Sequence, residues 1–205
     1  MNKIIEVEAR GLLDLSQKNK LEKFLKANAV FKQEKRRILI DYSLFLEDGG
    51  VRNRSRDIRL RITNGEPEII VKIGKWGAGE NRKELSVMAE KNSFDRLVEI
   101  FDALGFSKGA MCVRNSVVYD YNDIEFAIVE VPGHSYYFEA EKMASKDENA
   151  DLIYKDIEDT CTKLGLKLFD DESFMKYIEV LNDEANEVFD FNLHGQDYFK
   201  NRFKI

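Results

Sequence analysis

Cysteine, histidine and proline are scarce in this 205-residue chain, with two of each. Cys112 and Cys161 are a lone, widely spaced pair, which predicts reduced thiols and not a disulfide framework. His134 and His194 lie far apart with no Cys or His beside them, so the sequence offers no zinc-ligand spacing. Two prolines and twelve glycines leave no low-complexity linker. No apolar run approaches the roughly 18–20 residues that span a bilayer. Glu6 and Glu8 interrupt the N-terminal segment before it can build the apolar core of a signal peptide. A membrane partner is not expected, and the expected location is cytoplasmic. Basic excess is also lacking: 32 Lys and Arg against 38 Asp and Glu give a net charge of −6. That balance argues against a nucleic-acid partner. It leaves room for a small anionic ligand, since the cations could still be gathered on one face.

What is present fits a soluble globular protein, 43% hydrophobic and 34% charged, long enough for one well-buried domain. Residues 4–13 read as a strand, and Ser16 as the cap of a helix to about Ala27. Strands are expected at 36–46, then at 57–63 and 68–73 as a hairpin around 64–67, and at 82–89 after a glycine-bearing loop at 74–81. Ser93 opens a helix to about Leu104, with Gly105 at its stop. Strands at 111–121, 124–131 and 136–142 follow, then a helix over 150–164. The chain from Ser173 reads as helical to about Phe189 and irregular beyond. The acidic Asp147–Asp151 stretch reads as a solvated helix start. The tally is an α+β protein with about eight mainly antiparallel strands and flanking helices. Eight such strands often close into a barrel, which removes exposed edges.

Strand parity carries the functional signal, because successive side chains take opposite faces. Glu6, Glu8 and Arg10 share a face, as do Glu139 and Glu141. Arg59 and Arg61 share one, opposite Ile58, Leu60 and Ile62. Lys72 lies opposite Val71 and Ile73, and Arg82, Glu84 and Ser86 alternate with Lys83, Leu85 and Val87. Each strand thus has a charged face and a mostly aliphatic one, as any half-solvated sheet does. The signs, however, are segregated: carboxylates dominate the first and last strands, and Arg or Lys the middle ones. A merely soluble face mixes signs more freely. Crowded carboxylates repel unless a hard cation holds them together, and cations nearby suit a polyphosphate.

In order and spacing these residues resemble the CYTH superfamily of triphosphate tunnel metalloenzymes, which includes thiamine and inorganic triphosphatases and class IV adenylate cyclases. The family's first-strand Glu-x-Glu-x-Lys is similar to Glu6, Glu8 and Arg10. Its Arg-x-Arg strand resembles Arg59-Leu60-Arg61, its strand ending in Lys resembles Ile69-Ile70-Val71-Lys72, and its Arg-x-Glu resembles Arg82-Lys83-Glu84. The late Glu-x-Glu resembles Glu139-Ala140-Glu141 after the turn Pro132-Gly133-His134-Ser135, with Glu130 near the place of an acidic residue before that turn. A C-terminal Ser-aromatic helix resembles Ser173-Phe174-Met175-Lys176-Tyr177. Two departures stand out. Arg10 replaces the signature lysine, and in the family's Lys-x-Arg strand Arg114 takes the first slot and Ser116 the second.

The resemblance covers about residues 3–182. It implies a closed triphosphate tunnel over 1–182, followed by an extension, 183–205, with no family counterpart. It further implies Glu6, Glu8, Glu130, Glu139 and Glu141 as ligands of Mg²⁺ or Mn²⁺, and Arg37, Arg59, Arg61, Lys72, Arg82 and Arg114 as phosphate ligands. Arg36 has the opposite parity to Arg37, and either could face inward. Arg10 holds the catalytic position; its guanidinium can clamp phosphate oxygens but cannot act as a base. Asp41 and Tyr42 are base candidates by location alone. The implied activity is metal-dependent hydrolysis of a small-molecule triphosphate: inorganic tripolyphosphate, a nucleoside triphosphate or thiamine triphosphate. The alternatives are a class IV-type cyclase and a low-turnover triphosphate or polyphosphate binder. A barrel with an aliphatic outer face needs helices or a second copy, as in a homodimer, to cover it.

Overall fold

A computed structural model of the chain describes residues 5–47, 49–52, 54–74, 77–78, 82–145 and 148–205. Ile4 of the first expected strand, most of the expected 74–81 loop, and Asp147 of the acidic stretch lie outside the described residues. In chain order the elements are β1 (Ile5–Leu13), α1 (Leu15–Asn28), β2 (Val30–Asp41), a 3₁₀ turn (Tyr42–Phe45), β3 (Arg56–Thr63), β4 (Glu66–Ile73) and β5 (Lys83–Met88). Then come α2 (Phe94–Ala103), β6 (Lys108–Tyr121), β7 (Ile124–Val131), β8 (Ser135–Ala144), α3 (Ala150–Lys163) and α4 (Asp171–Glu184). The chain ends with β9 (Glu187–Asp190), α5 (Phe191–His194) and α6 (Tyr198–Phe203). Among the described residues no helix is long and apolar enough to cross a membrane.

The α+β class and the eight main antiparallel strands are as expected, in the order β1-β8-β7-β6-β2-β3-β4-β5, with a ninth short strand paired to β6. Closure is not. β1 and β5 end this path, and no pairing joins them among the described residues, so the barrel is open. Closing a sheet requires a continuous register and stagger around the ring. β5, six residues long and exposed throughout, ends the path instead of bridging it.

Turn chemistry sets the hairpins. Asn64 and Gly65 both take positive φ, as do Asn122 and Asp123, the geometry of tight two-residue hairpin turns. The first of these turns is shorter than expected and draws Pro67 into β4. β2 runs earlier than expected, because the 3₁₀ turn takes residues 42–45. Helix α1 is capped by Asp14, not Ser16. The Asp14 carboxylate accepts from the Gln17 N–H at 2.7 Å, and the Gln17 side chain accepts from the Asp14 N–H at 2.9 Å. This reciprocal box leaves Ser16 inside the first turn.

The chain forms two compact units: Met1–Lys35, Gly77–Lys83 and Arg114–Ile178 in the first, and Arg36–Trp76, Glu84–Val113 and Glu179–Ile205 in the second. In the first, the aliphatic faces of β1, β7 and β8 (Val7, Ala9, Ile124, Phe126, Ile128, Phe138, Ala140) bury against Leu21 and Leu25 of α1 and Ile157 and Cys161 of α3. In the second, Ile38, Ile40, Leu60 and Ile62 bury against Phe94, Leu97, Val98 and Phe101 of α2. Helices therefore cover the aliphatic faces of β1, β7 and β8 in the first unit and of β2 and β3 in the second, whereas Leu85 and Val87 of β5 stay exposed. The tail, expected to be helical to about Phe189 and irregular beyond, instead forms β9 at 187–190, which pairs with residues 108–111 of β6, and adds Phe189 and Phe199 to the second core. Both cysteines are reduced thiols, as expected.

Candidate metal and phosphate site

The antiparallel register of β1 and β8 sets the acidic runs side by side: Glu8 lies opposite Glu141, and Arg10 opposite Glu139. With Glu6 two residues before Glu8, carboxylate oxygens of Glu6, Glu8 and Glu141 come within 4.8 Å of one another. Glu8 is only 2% exposed. Burial, reinforced by the charges of Glu6, Glu139 and Glu125, pushes the Glu141 carboxyl up to about 8. Three carboxylates cannot all ionise at this spacing without a counter-charge, so near neutral pH the cluster holds either a proton or a cation. An all-oxygen donor set of this kind suits Mg²⁺ or Mn²⁺.

Arg10 supplies part of that counter-charge. Its Nη2 donates to Glu8 Oε2 at 2.5 Å, and its Nε donates to Glu139 Oε1 at 3.4 Å. The guanidinium also lies 5.3 Å from the centre of the Phe174 ring, a cation–π arrangement. Two local features deliver that ring. Gly11 lets the chain after α3 approach β1, since a Cβ there would meet the Lys167 carbonyl at 2.1 Å. The Phe169 N–H then donates to the Arg10 carbonyl at 2.8 Å. Helix α4 begins immediately afterwards, with Asp170 Oδ1 accepting from the Ser173 N–H at 2.7 Å and Ser173 Oγ accepting from the Asp170 N–H at 3.0 Å. This is the Ser-aromatic helix singled out in the sequence. Phe174 goes under Arg10, while the Tyr177 hydroxyl hydrogen-bonds Ser135 Oγ at 2.8 Å beside the turn that leads into β8.

Register also exposes what sequence reasoning missed. Glu125 of β7 lies directly opposite Glu141 and pairs with Lys35 Nζ at 3.2 Å. Its face is legible only once the length of the β7–β8 turn is known. Glu130 takes the other parity: it lies opposite Tyr136 and accepts from Asn115 Nδ2 at 3.2 Å. That register puts it on the opposite sheet face from Glu139 and Glu141. Arg114 of β6 has the parity of Val118, which packs with Ala127, Val129 and Tyr137 on the carboxylate face. Arg82, just before β5, is buried.

The remaining cations belong to the second unit. Arg37, not Arg36, shares a face with Arg61, since Leu39 lies opposite Arg61 and Arg37 opposite Thr63. The Arg37 Nε donates to Thr63 Oγ1 at 3.3 Å. Arg61 lies opposite Glu68 and donates to its Oε2 from both Nε (3.0 Å) and Nη2 (2.5 Å). Arg59 Nη2 donates to Asp57 Oδ2 at 2.6 Å, and Lys72 Nζ lies 3.3 Å from Glu84 Oε2. Neither base candidate is suited to that role. Tyr42 is buried in the apolar core, which raises its hydroxyl pKa, and Asp41 is bound to Arg54 and to the Ser43 N–H.

No family model and no curated protein sequence matches the chain. Solved structures share its fold. PH1819 from Pyrococcus horikoshii OT3 is 20% identical at a TM-score of 0.69, with 85% of this chain and 98% of that one covered. A candidate adenylate cyclase from Vibrio parahaemolyticus is 13% identical at a TM-score of 0.56, with 80% and 90% covered. HpAC1 from Hippeastrum, a candidate adenylyl cyclase with a dominant triphosphatase activity, is 15% identical at a TM-score of 0.50, with 82% and 90% covered. At 20% identity or below, what this chain shares with these neighbours is the fold.

Proposed function

We propose that this chain, whose fold is consistent with that of the CYTH triphosphate tunnel proteins, hydrolyses a triphosphate with the help of a divalent cation. The observation that carries the reading is the convergence of Glu6, Glu8 and Glu141 around a buried carboxylate, with Arg10 beside them. Mg²⁺ or Mn²⁺ held there would neutralise phosphate charge and lower the pKa of a bound water. Phosphoryl transfer otherwise demands alignment and charge neutralisation more than covalent work. Arg10 holds Glu8 and Glu139 in place, and Arg114 and Arg82 are assigned to phosphate oxygens in the same unit. Arg37, Arg59, Arg61 and Lys72 are assigned the same role on the strength of the sequence pattern. The triphosphatase activity of HpAC1 supports the substrate class.

One observation favours a second reading, a low-turnover triphosphate binder: the guanidinium of Arg10 engages two of the carboxylates that a cation would use. The test is phosphate release from tripolyphosphate, ATP and thiamine triphosphate with Mg²⁺ or Mn²⁺, for wild type and Glu6→Gln. Metal-dependent release is expected. It should fall in the variant by at least the roughly 10–100-fold that even outer-shell partners of a metal carry. Pyrophosphate from ATP in place of orthophosphate would mean a cyclase. Tight binding without release would mean the binder.

A further inference from the structure

The second unit contains a chain of buried charges that the proposed chemistry does not use directly. Asp41, Arg54 and Asp57 are 8%, 4% and 0% exposed. Asp41 Oδ1 accepts from the Ser43 N–H at 3.0 Å, and Asp41 Oδ2 accepts from Arg54 Nη1 at 2.6 Å. Arg54 Nε lies 2.7 Å from Asp57 Oδ1, in ion-pair contact without hydrogen-bond alignment. The other oxygen of Asp57 accepts from Arg59 Nη2 at 2.6 Å. Ser43, itself fully buried, ties the same region together again, its Oγ accepting from the Ile58 N–H at 2.6 Å. The sequence therefore runs from a turn cap, through two carboxylates and one guanidinium, to Arg59, which is part-exposed while its partner Asp57 is not.

Two carboxylates and two guanidiniums balance in charge, so the chain can stay dry at modest cost provided its geometry is kept. Only an arginine fits the central place. Its planar fork reaches Asp41 with one nitrogen and Asp57 with another, whereas a lysine ammonium is a single point charge on a flexible stem. With one edge held by Asp57, Arg59 loses the rotamer freedom that an exposed arginine would otherwise give up on meeting an anion. That is preorganisation in the ordinary sense.

We infer that Arg54, acting through Asp57, is a positioning residue that sets the guanidinium of Arg59 to receive a phosphate group. The inference rests on the proposed reading of Arg59 as a phosphate ligand. Neither Arg54 nor Asp57 touches substrate in this account; both act by fixing the residue that does.

The test is a double-mutant cycle read as the Kd of tripolyphosphate in the presence of Mg²⁺, using the full chain. The proteins are wild type, Arg54→Lys, Arg59→Ala and the double variant. Arg54→Lys preserves charge and should weaken binding about tenfold, the size of one charge-assisted hydrogen bond. In the Arg59→Ala background the same change should have no further effect. An equal loss in both backgrounds would mean a merely structural role and overturn the inference. If wild type binds tripolyphosphate but Arg59→Ala binds equally well, the reading of Arg59 fails and the inference with it. If wild type does not bind tripolyphosphate at all, both fall. Should Arg54→Lys not fold, arginine Nε–H spectra of the wild type decide instead. The Arg59 resonance should be sharp before ligand is added and should shift on adding tripolyphosphate. A broad, averaged Arg59 signal before ligand would overturn the inference.

Discussion

Arg10 shows how one side chain can decide the state of a site. Its fork reaches Glu8 and Glu139 together, and Phe174 lies against its face. A lysine could satisfy one carboxylate at a time and would stack less well. Arg10→Ala takes the guanidinium from a carboxylate that is only 2% exposed, and breaking such a buried pair costs about 3–5 kcal/mol. Denaturant unfolding of the metal-free variant should show a loss of that order, and added Mn²⁺ should restore part of it. A loss under 1 kcal/mol would mean that the pair adds no more than a surface bridge does. Glu141→Gln should act with the opposite sign. It removes the carboxylate that its neighbours and burial oppose, so the metal-free protein should melt higher at pH 8 while its Mn²⁺ affinity falls.

Among the elements, the C-terminal tail carries more than its sequence suggests. Residues 187–205 have no motif, yet Phe189 and Phe199 are 1% and 0% exposed and pack with Phe94 of α2. Asp95 of α2 accepts from the N–H groups of Phe199 and Lys200 at 3.0 Å each, closing the start of α6. Removing a buried phenylalanine typically costs about 3–5 kcal/mol, and total stability is typically only 5–15 kcal/mol. A chain ending at residue 186 should therefore lose the cooperative unfolding of the second unit, seen as lost hydrogen-exchange protection in α2 and β3. Full protection in the truncated chain would show the tail to be an accessory.

Across the whole molecule, the acid cluster ties stability to pH and to metal. The Glu141 carboxyl is pushed up to about 8, so between its unfolded range and that value the native state holds a proton that the unfolded chain has released. Stability from this group is greatest in acid and declines as pH rises from about 4.5 through about 8. Thermal melts of metal-free protein should fall over that window, and Mn²⁺ should raise the melting temperature more at pH 8 than at pH 5. A metal effect independent of pH would mean that the cation binds elsewhere.

The sequence by itself determined the α+β class, the eight main strands, and the parity that keeps Glu6, Glu8 and Arg10 together on one side of their strand and Glu139 and Glu141 together on one side of theirs. It could do so because side-chain alternation and turn residues are local. It also marked the Ser173–Tyr177 helix start, since a capping pair sits within three residues. Tertiary structure decided whatever depends on register between distant strands: that Glu8 meets Glu141, that Glu125 joins them, that Glu130 faces away, and that Arg37 rather than Arg36 shares a face with Arg61. It also decided that the sheet stays open between β1 and β5. Each of these turns on a one-residue offset or on the length of a connection, and a single step in register carries a side chain to the other side of the sheet. The buried Asp41–Arg54–Asp57–Arg59 chain was invisible for the same reason, because its members meet only when the turn after β2 folds back onto β3.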